Sequence, residues 1–198
     1  MKIAFDLDDV LSCFNLIWHQ YHNKHYGTKV TMEDITDFYL PTVYKVPLDV
    51  AMQRVFEFYR SEEAENIPIE PGAIMVTQEL KKRGHALYVL TSRDPEIKDK
   101  TVEWININLP NTFKEVIFTK QFSLSDGFNN NVKKSDACKK YGIDMLVEDA
   151  PLYAMDVAEA GLIAVLVEKN WNKNFKDPNK NLYRVKNITE ILQLPFFS

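Results

Sequence analysis

Short apolar runs separated by helical segments constrain the fold of this chain more than any other feature. The runs are Ile3–Leu7, Ala86–Leu90, Val116–Phe118, Met145–Val147 and Leu162–Val167. Runs of this length are typical of strands buried on both faces, and strands that alternate with helices form parallel βαβ units. We therefore predict an α/β fold, a three-layer Rossmann-like core with a doubly wound parallel sheet.

The segments between the runs carry helix signals at both ends. Pro71 opens a helical pattern that Gly84 closes, and Asp94-Pro95 supplies an N-cap with proline at the first helical position. A helix from about Lys134 to Tyr141 is closed by Gly142, and Pro151 opens another that runs through Ala160. Right-handed crossovers through these helices bring the carboxyl ends of all strands to one edge of the sheet.

Residues 14–68 break the alternation of strands and helices. Phe14–Tyr26 has helical spacing and ends at Gly27, a short helix opens at Thr31, and another runs from Pro47 to about Arg60. We predict a small helical cap, residues 14–68, inserted after strand one into a core of residues 1–13 and 69–198. The length of 198 residues, about 1.3 ordinary domains, fits one domain with an insertion.

Charge and cysteine content exclude several classes of protein. The formal net charge of −4 argues against a nucleic-acid polymer as partner, because such binders present a basic face. No apolar run approaches the ~20 residues of a membrane helix, and no signal-peptide core is present. Cys13 and Cys138 form no disulfide framework. We expect a cytoplasmic protein without a membrane partner, of undetermined oligomeric state.

The predicted carboxyl ends of four strands, together with the helix that follows one of them, carry polar and charged residues. These residues are Asp6, Asp8, Asp9, Thr91, Ser92, Arg93, Lys133, Lys134, Glu148 and Asp149. Ligands bind outside the carboxyl ends of strands in open α/β sheets. Close carboxylates repel one another unless a cation is present, and Mg²⁺ prefers an incomplete oxygen shell that leaves room for a phosphate oxygen. The pattern predicts Mg²⁺-dependent phosphoryl chemistry.

The chemistry of such a cluster suits phosphate ester cleavage. A carboxylate beside Mg²⁺ can attack phosphorus and form an aspartyl-phosphate. A second carboxylate can protonate the leaving oxygen and then deprotonate the hydrolytic water. Thr91, the Ser92 amide and a lysine are suited to neutralising the remaining phosphoryl oxygens.

Four motifs in order resemble the haloacid dehalogenase (HAD) superfamily of phosphatases. They are Asp6-x-Asp8-x-Val10, Thr91, Lys134 at a helix start, and Glu148-Asp149. The helical insertion resembles the C1 cap of that superfamily. The strings DLDDVL, TSR and ED are most similar to the 5′(3′)-deoxyribonucleotidase branch of cytosolic type C. That branch commonly has glycine at the position of Asp9 and Asp-Asp where this chain has Glu148-Asp149.

The resemblance implies a role for each matched residue. Asp6 is the nucleophile and a metal ligand, and Asp8 is the general acid and base, with its backbone carbonyl on the metal. Asp149 is a direct ligand, and Glu148 is either a ligand or an acceptor for metal-bound water. Thr91, Ser92 and Lys134 bind the phosphoryl group, with Lys134 preferred over Lys133 because KSDACKKYGID is similar to the third-motif helix. The second Asp argues against dehalogenation, in which no alkoxide leaving group needs a proton.

Other features admit more than one interpretation. Phe14 and Trp18 lie near the start of an aromatic-rich insertion. One hypothesis is that they face the cleft and stack on a nucleobase, and the other is that they belong to the cap core. His19, His22 and His25 favour a polar, solvated helix face over a zinc site. Arg93 contacts phosphate or caps the next helix. Asn170-Trp171-Asn172 follows strand five, where loops can border the same cleft, and a simple surface loop is favoured over that role. Residues 121–131 are expected as a mobile loop.

The function predicted from the sequence is a Mg²⁺-dependent phosphomonoesterase that acts through an aspartyl-phosphate, with a 5′-nucleotidase activity on nucleoside monophosphates. One alternative is a sugar-phosphate phosphatase or phosphotransferase with the same core. Another, of a different class, is a phosphate- or nucleotide-binding module without turnover.

Overall fold

A six-stranded, all-parallel sheet forms the centre of the computed structural model, which describes residues 1–119, 132–176 and 178–197. The strands are β1 Lys2–Phe5, β2 Ala86–Thr91, β3 Val116–Phe118, β4 Met145–Glu148, β5 Ile163–Val167 and β6 Leu182–Val185. Their order across the sheet is β3-β2-β1-β4-β5-β6, which is the Rossmann order. The predicted α/β class is confirmed.

Seven α-helices connect or flank the described strands. They are α1 Phe14–Tyr26, α2 Leu40–Tyr44, α3 Leu48–Arg60, α4 Ala73–Lys82, α5 Lys98–Asn108, α6 Lys134–Tyr141 and α7 Pro151–Glu159. Short 3₁₀ helices lie at Glu63–Asn66, Pro95–Ile97 and Ile188–Gln193. The longest α-helices, α1 and α3, have 13 residues each, and no helix in the described ranges could cross a lipid bilayer.

The sheet is buried on both faces, which makes the core three layers deep. Ile3 and Phe5 point to the face covered by α4, α5 and the last 3₁₀ helix. Ala4, between them, points to the face covered by α6 and α7. This alternation follows from the two-residue period of a strand, and it explains why β1 reads as an apolar run with no polar side.

A third hydrophobic cluster lies between β1 and α4, in residues 14–68, called the helical segment below. It joins α1 and α3 through rings such as Trp18 and Phe58, and it includes Ile97 from the core. The prediction of a helix that opens at Thr31 is wrong. The Asp34 carboxylate accepts hydrogen bonds from both the amide and the hydroxyl of Thr31, which closes a local turn. The helix of this region is α2, further along the chain.

The sequence analysis missed strand β6. Its four residues, Leu182–Val185, carry an exposed arginine and lie at the edge of the sheet, so they lack the continuous apolar run of a central strand. Pairing of Ala164 with Leu182 and of Val167 with Val185 defines the strand. The loop expected at residues 121–131 lies outside the described residues.

The register of β1 and β4 positions the site. Phe5 pairs with Val147, and the Asp6 amide donates to the Val147 carbonyl at 2.8 Å. Asp6 and Glu148 therefore leave the sheet side by side, at the point where strand order reverses. Crevices at such switch points bind ligands in doubly wound folds.

Candidate active site

A lysine bridges two buried carboxylates at the switch point. Lys134 begins α6, is 1 % exposed, and places its Nζ 2.5 Å from Asp6 Oδ1 and 2.8 Å from Glu148 Oε2. The backbone amide of Ala150 donates to Glu148 Oε1 at 3.2 Å, so both Glu148 oxygens have a donor. The adjacent Lys133 is 70 % exposed and lies 3.9 Å from Asp156 Oδ1. The structure thus brings Lys134, and not Lys133, to the acidic cluster.

The acidic residues have the arrangement of a metal site. One carboxylate oxygen from each of Asp6, Glu148 and Asp149 can be chosen so that the three lie within 4.8 Å of one another, and all three residues are buried. Oxygen donors of this kind fit a hard divalent cation such as Mg²⁺. Because both carboxylate oxygens of Glu148 already accept hydrogen bonds, Asp6 and Asp149 are better placed to bind the ion directly.

Burial and mutual repulsion perturb these carboxyls. Burial raises the pKa of Asp6 to about 7, with Glu148 and Asp8 adding to the rise and Lys134 opposing it. Burial likewise raises the pKa of Glu148 to about 7 and that of Asp149 well above its usual value. A single lysine therefore does not compensate the cluster, and a bound cation would.

Asp8 lies beside the cluster and is held by three side chains. Arg93 donates from Nη2 to Asp8 Oδ1 at 2.6 Å and from Nε to Oδ2 at 3.0 Å. The Tyr59 hydroxyl donates to Oδ2 at 2.8 Å, and the Ser12 hydroxyl to Oδ1 at 3.2 Å. Arg93 is buried and pairs with Asp8, a contact that the sequence analysis did not predict. Asp94, and not Arg93, caps the following helix by accepting from the Glu96 amide.

Thr91 and Ser92 end strand β2 at the same edge of the sheet. Thr91 is 1 % exposed and its hydroxyl oxygen accepts from the Arg93 amide at 3.2 Å, so that hydroxyl shapes the turn. Ser92 lines the cavity above the acidic cluster, whereas Thr91 does not. Of the two predicted phosphate-binding residues from this strand, Ser92 is the one that a ligand in the cavity would meet.

The cavity, of about 190 Å³, lies between the sheet edge and the helical segment. Its floor is the acidic cluster with Asp8 and Lys134, and its wall is mostly apolar. The wall residues include Phe14, Phe38, Leu40, Leu48, Met52, Val55, Phe56, Tyr59, Tyr153 and Trp171. The floor could hold a charged phosphate, and the wall an uncharged, flat organic group.

The prediction that Trp18 faces the cleft is wrong, whereas Phe14 does line the cavity. Trp18 is 0 % exposed and packs edge-on against Tyr44 and Phe58. Phe14 stacks on Trp18 from the cavity side, with ring centroids 5.9 Å apart. Trp18 therefore belongs to the hydrophobic core of the helical segment.

Trp171 and Asn172 contribute to the site, although the sequence analysis favoured a surface loop for them. Trp171 Nε1 donates to Asp149 Oδ2 at 2.8 Å, and Asn172 Nδ2 donates to the backbone carbonyls of Asp149 and Val167 at 2.7 Å each. Both residues are buried, so the expected surface loop is wrong here. Their position just after β5, next to the Glu148-Asp149 strand, was the available signal.

Asp9 has a structural role that the sequence alone did not indicate. Its φ of 60° lies in the left-handed region that favours glycine, the residue common here in the resembled branch. The Asp9 carboxylate accepts from the Asn15 amide at 3.0 Å and from Asn15 Nδ2 at 2.7 Å, at the start of α1. Burial raises the pKa of Asp9 to about 7. Asp9 thus joins the strand end to the helical segment.

The histidines of α1 do not form a solvated face. His22 is fully buried, with Nδ1 2.8 Å from the Thr28 hydroxyl and Nε2 3.0 Å from Arg54 Nη1. Burial, with a smaller contribution from Arg54, lowers the pKa of His22 to about 4. His25 is exposed as expected. Burial, and after it Glu70, raises the pKa of the Cys13 thiol to about 12.

Comparison with known proteins relates this arrangement to one family. Residues 1–196 match the model of the family described as 5′ nucleotidase, deoxy (pyrimidine), cytosolic type C protein. A nucleotidase of Clostridium acetobutylicum is 22 % identical over 191 residues, covering 96 % of this chain and 91 % of that protein.

Solved structures share the fold. A predicted phosphatase from Clostridium acetobutylicum has a TM-score of 0.72 at 15 % identity, covering 97 % of this chain and 96 % of that one. A haloacid dehalogenase-like hydrolase from Streptococcus pneumoniae has a TM-score of 0.70 at 16 % identity, covering 100 % and 98 %. The chain belongs to the cytosolic type C 5′-nucleotidase family of HAD-superfamily phosphatases.

Proposed function

We propose that this chain is a Mg²⁺-dependent 5′-nucleotidase that hydrolyses nucleoside monophosphates through an aspartyl-phosphate on Asp6. The observation that carries the proposal is the arrangement at the switch point. Three buried acids with the geometry of a metal site share a cavity floor with Lys134 and Asp8, beneath a wall of apolar and aromatic side chains.

The metal would be held by Asp6, Asp149, the Asp8 carbonyl and, directly or through water, Glu148. Bound there, Mg²⁺ supplies positive charge that offsets the acids and the substrate phosphate. The Trp171 indole holds the Asp149 carboxylate in place through its 2.8 Å hydrogen bond. Such outer contacts orient metal ligands in many proteins.

In the proposed reaction, an Asp6 oxygen forms a bond to phosphorus while the bond from phosphorus to the ester oxygen breaks. Asp8 donates a proton to that leaving oxygen, and then removes one from the water that attacks the aspartyl-phosphate. Lys134 stabilises charge on the phosphoryl oxygens, assisted by Ser92 and by Thr91, which shapes the turn. The products are the nucleoside and inorganic phosphate, and the Asp6 carboxylate is regenerated.

The cavity wall supports a nucleoside as the organic group. Phe14 and Trp171 supply aromatic side chains to the cavity lining, and contact with such rings is insensitive to base identity. Among the described cavity-lining residues, the two cations are Arg93 and Lys134, and both are paired with carboxylates. A second phosphate would find no free cation there, which favours monophosphates over diphosphates.

We further propose that residues 14–68 act as a cap over a core of residues 1–13 and 69–198. The support is a separate hydrophobic cluster in the helical segment and the cavity between that segment and the sheet edge. The mostly apolar wall favours a nucleobase over a second polyhydroxylated ring, which is why we place sugar phosphates second. We propose a cytoplasmic location, in keeping with the free thiols of Cys13 and Cys138.

A phosphate-release screen tests the proposal. Ribo- and deoxyribonucleoside monophosphates, nucleoside diphosphates and sugar phosphates are compared with Mg²⁺ and with a chelator. We expect Mg²⁺-dependent release that is fastest with monophosphates and abolished by Asp6→Asn, while the exposed Lys133→Met variant retains it. Preference for sugar phosphates would favour the sugar-phosphate alternative, and nucleotide binding without release would favour the non-catalytic one.

A further inference from the structure

The Asp8 carboxylate is held in a two-pronged contact with Arg93. Nη2 and Nε of the guanidinium lie 2.6 and 3.0 Å from the two different carboxylate oxygens. A fork of this kind fixes the plane of a carboxylate as well as its position. The Arg93 side chain is 5 % exposed and also contacts the Thr101 hydroxyl at 3.5 Å, so the fork itself is held in place by the core.

Tyr59 reaches Asp8 from the helical segment. Its hydroxyl donates to Asp8 Oδ2 at 2.8 Å, the same oxygen that accepts from Arg93 Nε. The Tyr59 ring lies under the guanidinium, 4.6 Å from its carbon, and stacks on Phe14 with centroids 5.7 Å apart. The contact therefore joins α3 of the helical segment to the end of strands β1 and β2.

A group that protonates a leaving oxygen must lie within hydrogen-bond distance of it. In this structure the Tyr59 hydroxyl oxygen already occupies such a place at Asp8 Oδ2, and it lines the substrate cavity. Arg93 contacts both carboxylate oxygens from the core side. When the Tyr59 hydroxyl withdraws, the position it leaves beside Oδ2 becomes open to the cavity.

We propose that Arg93 is a positioning residue for Asp8 and that the Tyr59 hydroxyl occupies the place of the leaving oxygen. Arg93 fixes the carboxylate, and the Tyr59 hydroxyl holds Oδ2 until the ester oxygen of a bound substrate replaces it. Asp8 enters the step protonated on Oδ2, the oxygen that the hydroxyl has left, and gives this proton to the ester oxygen as the bond from that oxygen to phosphorus breaks. The resulting carboxylate then takes a proton from the attacking water, which restores the protonated acid. This inference rests on the proposed phosphatase reaction and adds two residues to it.

Leaving-group dependence separates positioning from a structural role. The value of kcat/KM is measured with p-nitrophenyl phosphate, whose phenolate leaves without a proton, and with an alkyl phosphomonoester such as a nucleoside monophosphate. This ratio reports the steps up to loss of the leaving group. For Arg93→Gln we expect a loss of about 100-fold with the alkyl ester, the lower end of acid catalysis, and less than about 3-fold with the aryl ester.

Further variants make the result decisive. Asp8→Asn should show the same selective loss, and combining it with Arg93→Gln should add little, because Arg93 acts on the reaction through Asp8. Arg60→Gln is the matched control, since Arg60 is exposed and pairs with Glu96 at 3.4 Å. Equal losses on both esters for Arg93→Gln, or full additivity with Asp8→Asn, would overturn the positioning role.

Tyr59→Phe keeps the ring stack and removes the competing hydroxyl. We expect a KM several-fold lower for both esters with kcat/KM undiminished, whereas Tyr59→Leu, which also loses the ring, should lower kcat/KM. A fall in kcat/KM with Tyr59→Phe equal to that with Tyr59→Leu would refute the exchange. If the protein hydrolyses another alkyl phosphomonoester but no nucleotide, only the nucleotide assignment is contradicted, and that ester replaces the nucleotide in the comparison with p-nitrophenyl phosphate. Hydrolysis of neither ester class would overturn both proposals.

Discussion

Replacing Lys134 with methionine should destabilise the protein in a pH-dependent way. The Nζ of Lys134 lies between Asp6 Oδ1, at 2.5 Å, and Glu148 Oε2, at 2.8 Å, with the side chains of the lysine and the glutamate each 1 % exposed. Methionine is unbranched and of similar length, so the change removes the charge with little loss of packing. Two buried carboxylates then lose their cation.

The expected magnitude follows from this geometry. At an effective dielectric constant near 20, a unit charge pair at 2.8 Å is worth roughly 6 kcal/mol, and desolvation of the charges offsets much of it. Removing one partner of a buried pair costs about 3–5 kcal/mol. For a chain of this size, that corresponds to a Tm lower by roughly 6–20 °C.

The penalty should grow with pH. Burial raises the pKa of Asp6 and of Glu148 to about 7, and Lys134 opposes the rise at both, so its loss raises them further. Acids with a raised pKa in the folded state are accommodated when protonated, and stability is lost as pH rises through that pKa. We expect the full loss at pH 8 and a smaller one at pH 5.5.

Urea unfolding in the presence of a chelator measures the effect at both pH values. Lys133→Met is the matched control, because this neighbouring lysine is exposed and should cost less than about 0.5 kcal/mol. Equal losses for the two variants, or a Lys134→Met loss that does not increase from pH 5.5 to 8, would refute the reasoning.

Three further outcomes are expected. Trp171→Phe keeps a ring but removes the donor to Asp149, so the Mg²⁺ concentration for half-maximal activity should rise about 10-fold, as a Mg²⁺ titration would show; an unchanged titration would contradict this. Phe14→Leu should raise KM for nucleotides and leave inhibition by inorganic phosphate unaltered, and a parallel rise in both would mean a general disruption. Gly72→Ala should lower the free energy of unfolding by about 1–3 kcal/mol, since φ is 89° and an added Cβ would lie 2.5 Å from Thr189 Cγ2. Urea unfolding checks it, and Thr189→Ala in the same chain should recover part of the loss and not all.

Local signals made several elements predictable to the residue. Strand β3 and helices α1 and α6 have the predicted bounds. Both helices end at a glycine in the left-handed conformation, Gly27 at φ 67° and Gly142 at φ 64°. These boundaries depend on backbone preferences of single residues, which the sequence states directly.

Elements that depend on distant partners were the ones missed. Strand β6 forms by pairing with the edge of β5, and the buried Trp171 indole donates its N–H to the Asp149 carboxylate. The fate of Trp18 and His22 was likewise decided by packing against α2 and α3. These partners are too far apart in the sequence for the local hydrophobic pattern to indicate the contacts.

The amino-acid order alone determined the fold class and the chemical types at the strand ends, because strand burial and right-handed crossovers dictate which residues meet at one edge. Tertiary structure decided which partners each of those residues has. It placed the Lys134 Nζ between Asp6 and Glu148, paired Arg93 with Asp8, and brought Tyr59 from the helical segment to the same carboxylate. The physical reason is that hydrogen bonds and ion pairs need atoms placed to within a few tenths of an ångström, and only the packed chain supplies that precision.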